Sequence, residues 1–209
     1  MSYFVGLTFV QHYLQFKKIN SFRRRFDYKH SPAMPLHMSI LPPFELDNTG
    51  DLNELEDCLL DAVESNFLGL TNANEVEMSS LGFDYSKTSL LYLRPKLSEE
   101  IFFCQDSVKR VLKEFNVSFK KSKSIGKHIQ NEFQSILPLG RLKDTDLFNV
   151  AVETAQEEFM LPFKLAAGSV VLFEKTSTGW VQRRRLFDFP KCELELASSN
   201  INVSGFQLS

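Results

Sequence analysis

The chain has 209 residues, the size of one ordinary domain or two small ones at roughly 100–200 residues per domain, and a single domain is the expectation. With 43% hydrophobic and 24% charged residues, it has the balance of a soluble globular protein, which excludes a disordered or fibrous chain. Its 24 Lys plus Arg against 26 Asp plus Glu give a formal net charge of -2, which excludes coating nucleic acid by bulk positive charge but leaves a local basic groove open.

Strand one is expected over Tyr3 to Val10, a short run rich in β-branched and aromatic residues. From His12 to Phe26 the apolar Tyr13, Phe16, Ile19, Phe22 and Phe26 recur every three or four residues, predicting an amphipathic helix with Lys17, Lys18 and Arg23 to Arg25 largely on its other face. Pro32 and Pro35 then force extended chain into a short strand over 36–41, which Pro42-Pro43 ends. After the turn cluster Asp47-Asn48-Thr49-Gly50, the spacing of Leu52, Leu55, Leu59, Val63 and Phe67 predicts a second helix.

Glu75 to Leu93 reads as a hairpin turning at Asp84-Tyr85-Ser86-Lys87. Ser98, with Glu99 and Glu100 behind it, opens a third helix. Lys120 to Gly126 is expected as a basic loop, 133–137 as a short strand stopped by Pro138, and a fourth helix opens at Asp144 or Asp146. Two long strands, Phe163 to Glu174 and Gly179 to Phe189, close the domain at about residue 190, leaving 191–209 as a polar tail. The fold class is thus α+β.

Twenty phenylalanines predict a large aromatic core. Cys58, Cys104 and Cys192 are odd in number and widely spaced, which argues against a disulfide framework and a cysteine zinc site and fits a reducing cytoplasm. No signal peptide, membrane span, metal or cofactor is expected.

The chain repeats itself. His37-Met38-Ser39-Ile40-Leu41-Pro42-Pro43 matches Phe133-Gln134-Ser135-Ile136-Leu137-Pro138-Leu139, and each copy reads as a short strand, a proline stop and a helix opened by Asp-Leu. Residues i and i+2 of a strand share a face, so His37 and Ser39 project side by side. An imidazole there can move a proton, and the hydroxyl beside it can bond a phosphate oxygen; a strand histidine satisfied by its neighbours is the other reading.

His37-Met38-Ser39-Ile40 followed by Leu41-Pro42-Pro43-Phe44, a matching second strand about a hundred residues on, and a terminal hairpin with Gly179-Trp180 resemble the two-histidine (2H) phosphoesterase superfamily, which includes RNA 2′,3′-cyclic phosphodiesterases and 2′-5′ RNA ligase-like proteins. The likeness covers roughly residues 2 to 190. It implies a two-lobed, pseudo-symmetric fold with antiparallel sheets lining a central groove and helices outside. It also implies a metal-independent hydrolase acting on an RNA end or small cyclic nucleotide, a monomer by default.

The second copy departs from that pattern: Ser135 matches, but Phe133 stands where the second histidine belongs. Losing one positioned acid or base typically costs ~10²- to 10⁴-fold in rate, and His128, five residues upstream, would face the opposite side of an extended strand. Three readings follow. One is altered phosphodiester chemistry on His37, Ser39 and Ser135. Another is a non-catalytic nucleotide or RNA binder, with Ser39 and Ser135 holding phosphate and Phe133 stacking on a base. The third is a protein-interaction scaffold with Phe133 in the core. Of the run Arg183-Arg184-Arg185, strand alternation turns Arg184 away from its neighbours, so that either Arg184 or the pair beside it enters the groove while the other side meets water.

Overall fold

The computed structural model describes residues 1–27, 30–46, 51–68, 75–85, 88–119 and 134–190. The expected turn at 47–50, the tip Ser86-Lys87, the basic loop at 120–126, His128, Phe133 and the tail 191–209 lie outside the described residues. Among those described, the chain is α+β, with four helices and nine strands whose pairings are all antiparallel.

Strand β1 (Ser2–Phe9) is buried on both sides, which its near-continuous apolar run requires. Tyr3, Val5, Leu7 and Phe9 enter the main core, whereas Phe4 joins a second cluster with Val171 and Phe173 on the opposite face. One edge of β1 carries β2 (His37–Ser39) and then β3 (Phe44–Glu45), and the other carries β8 (Phe163–Lys175). The first residues of β8 pair with β4 (Glu75–Asp84), while its later ones pair with β9 (Trp180–Asp188). This long strand therefore joins two halves of the sheet. Beyond β4 come β5 (Ser89–Lys96) and β7 (Leu137–Leu142) at one edge; β6 (Ser118–Phe119) forms the other.

Helix α1 (Leu14–Phe26) packs on β7 and β8, and α4 (Thr145–Glu158) on β5 and β7. Helix α2 (Leu52–Phe67) lies against β9 and against α3 (Glu99–Glu114). The expected starts of α3 and α4 hold: the Ser98 and Asp144 side chains accept from the backbone N–H groups of Ile101 and Leu147. No described helix is long and apolar enough to cross a membrane.

Three expectations are corrected. The strand expected over 133–137 instead begins at Leu137 and runs through Pro138 to Leu142, while Gln134 to Ile136 are not in a strand. Proline is tolerated there because β7 is an edge strand and a register shift falls beside the Tyr92↔Pro138 pair, where the missing N–H disrupts no regular ladder. The first helix starts at Leu14, so His12 precedes it in a turn. The third correction is in β9. Its pairing to β8 shifts between Leu172↔Arg184 and Phe173↔Gln182, leaving Arg183 as an extra residue. Strict alternation fails at that bulge, and Arg183 and Arg184 both reach Glu56 on α2.

Candidate functional site

His37 and Ser39 share a face, as their spacing requires, and pair with Thr8 and Gly6 of β1. That face is not an open groove at His37. The imidazole is 3% exposed, with its centroid 4.8 Å from the ring of Phe4 and 6.0 Å from that of Phe173. Trp180 meets Phe4 edge-on at 4.8 Å and Met34 packs on the same cluster. Gly6 leaves the room this needs: a Cβ there would stand 2.9 Å from Phe4 and 3.4 Å from the ring of His37.

The hydrogen bonding of His37 fixes its tautomer. Nδ1 lies 2.8 Å from the carbonyl oxygen of Pro35, which can only accept, so Nδ1 carries the proton and Nε2 is left as a bare lone pair. Burial is the main cause of a pKa lowered to about 4; the guanidiniums of Arg23 and Arg141 push the same way, against the hydrogen bond to Pro35. The ring is thus neutral at pH 7, in a positive surrounding.

Ser39 is half-buried beside His37. Ser135 is 6% exposed, and its hydroxyl accepts a 2.6 Å bond from Nε2 of Gln105. The same nitrogen donates to the carbonyl of Ile40 at 2.9 Å. One α3 side chain therefore ties the Ser-Ile-Leu segments of the two repeats together. Arg184 is placed elsewhere: Nη1 lies 2.8 Å from Asp57 and 3.5 Å from Glu56, so its charge is engaged with α2.

Sequence reasoning missed two features. Arg23 reads as one of three arginines on a solvated helix face, but it is 4% exposed, and its Nη2 donates to the carbonyl of Met34 at 2.8 Å. The signal was its position, four residues after buried Ile19, which puts it in the inward stripe. The other is a pair formed by Asp27, 5% exposed, and His30, whose Nδ1 lies 2.7 Å from Oδ1 of that carboxylate. Both line a cavity of about 520 Å³, with Thr88, Arg141 and Lys143 on its opposite wall. The turn that returns Ser31 and His30 to the Asp27 carbonyl creates this pair, and one sequence shows no periodicity that would have announced it.

No family model matches this chain, and no curated protein matches it. No group of three or more His, Cys, Asp or Glu side chains among the described residues could hold a metal ion.

Proposed function

We propose that the chain is a protein of the 2H phosphoesterase type, two-lobed and pseudo-symmetric, that binds an RNA end or a small cyclic nucleotide without turning it over at His37. The burial of His37 carries the part of this reading that denies turnover. Burial lowers the pKa of His37 to about 4, so at pH 7 it is seldom charged to protonate a leaving oxygen, and it is a weak base for activating water. Its ring is enclosed by Phe4, Phe173 and the Pro35 carbonyl. In this reading His37 is a packed strand residue, and the binding surface is the cavity of about 520 Å³ that His30, Arg141 and Lys143 line.

Two further observations support it. Arg141 is exposed, has no ion-pair partner among the described residues and lines the cavity of about 520 Å³, as a phosphate contact requires. Gln105, bridging Ile40 and Ser135, holds the two repeat segments as a pseudo-symmetric pair would be held.

The test is a fluorescence-anisotropy titration of a short RNA ending in a 2′,3′-cyclic phosphate, without metal. Saturable binding is expected, weakened by added salt and by about tenfold in Arg141→Ala, the loss typical of one charge-assisted contact. Absence of binding, or binding indifferent to Arg141, overturns the proposal.

A further inference from the structure

A second hollow, of about 340 Å³, lies between α1 and the segment that follows it, and its polar lining consists of Gln11, Asn20, Arg23, Arg24 and Ser31. Asn20 stands three and four residues before Arg23 and Arg24, so the three side chains occupy one strip of the helix. Ser31 is brought over that strip by a turn, its backbone N–H donating to the Asp27 carbonyl at 2.8 Å. Every polar side chain lining the hollow can donate a hydrogen bond and no carboxylate lines it. Phe16 and Leu36 supply apolar wall.

Arg23 gives this lining its meaning. A buried charge is normally paired, because burial strips it of water and a partner has to offset that loss. Here Nη2 is bonded to a neutral carbonyl, and Nε is buried with no acceptor among the described residues. Asp27, one helical turn on, influences Arg23 through space, but its Oδ1 is engaged by His30. Burial accordingly pulls the pKa of Arg23 down. Arg24 beside it is exposed, with no partner among the described residues.

We propose that this hollow is a binding site for a phosphate monoester, seated on Arg24, Asn20 and Ser31 over the buried charge of Arg23, with the ester's carbon skeleton against Phe16 and Leu36. Two adjacent guanidiniums, a hydroxyl and two amides offer more donors than a planar carboxylate can use, and they suit a tetrahedral dianion. The volume lies at the lower end of small-molecule sites, roughly 300–1,000 Å³, which sets the ligand at a phosphorylated sugar or smaller. The site stands on its own geometry and does not depend on the role of His37.

Inorganic phosphate and ribose 5-phosphate are the probes, titrated at constant ionic strength into the isotope-labelled full chain and followed by amide shifts. Saturable shifts are expected at Gln11, Asn20, Arg24 and Ser31, with affinity reduced about tenfold by Arg24→Gln and by Asn20→Ala. Arg25→Gln is the control: Arg25 pairs with Glu158 at 2.6 Å and lines neither hollow, so that variant keeps the wild-type affinity. Linear, unsaturating shifts, or equal losses in the Arg24 and Arg25 variants, identify general charge screening and overturn the proposal. If RNA binds through Arg141 while neither probe shifts these amides, this site fails and the cavity lined by Arg141 keeps its proposed role. Probe binding without RNA binding sustains this site and overturns the role proposed for the cavity lined by Arg141.

Discussion

At the scale of single residues, burial decides what a side chain can do. The spacing that puts His37 and Ser39 on one face was legible because period-two alternation is a property of the strand itself. What covers that face was not legible, because Phe173 and Trp180 lie far along the chain and only the folded sheet brings Phe173 to His37 and Trp180 to Phe4. The consequence is measurable. The pKa of His37 falls from 6.5 to about 4 on folding, so between those values the unfolded chain binds more protons and stability rises with pH. The contribution is complete above pH 6.5 and is lost as pH falls toward 4; at 1.36 kcal/mol per unit it amounts to ~3 kcal/mol. Urea unfolding at about pH 7 and about pH 4.5 should show His37→Gln to be less pH-dependent than wild type. Equal slopes would mean that the imidazole is solvated.

At the scale of elements, local signals placed the helices well. The Ser98 and Asp144 caps and the apolar stripes of α1 to α4 depend on neighbours three and four residues away, which a sequence displays directly. Strand details were less legible because they depend on partners. Pro138 reads as a stop, yet at a sheet edge it sits within β7. Arg184 is expected to alternate away from Arg183, yet the bulge opposite Leu172 and Phe173 sends both to Glu56. Glu56, 7% exposed, accepts from Nε of Arg183 at 2.7 Å and thereby fastens α2 to β9. Glu56→Gln should therefore cost about 1–3 kcal/mol, since it leaves two arginines facing a neutral amide. Asp57→Asn, at a side chain 69% exposed, should stay within about 0.5 kcal/mol. Chemical denaturation of the two variants compares them; equal effects would show that the junction is held by apolar packing instead.

At the scale of the whole molecule, the α+β class was legible from the alternation of strand and helix patterns, whereas the order of the strands was not. Nothing local tells β8 to pair with β4 through its first residues and with β9 through its later ones while keeping β1 along its other edge. The repeat of Ser-Ile-Leu-Pro points to two related segments, and Gln105 holds them to each other, but their strands differ: β2 ends at Ser39, where β7 starts two residues after Ser135. The proposed function therefore rests on what the assembled sheet does to His37, an effect of tertiary packing.

The central claim is that a phosphate ester binds and is not turned over by His37. The most direct measurement is phosphorus NMR of an RNA ending in a 2′,3′-cyclic phosphate, held without metal at saturating concentrations of wild-type protein or His37→Ala. The cyclic-phosphate resonance is expected to persist in both samples, broadened by binding. Its conversion to a phosphomonoester signal by the wild-type chain, and not by His37→Ala, would contradict the claim.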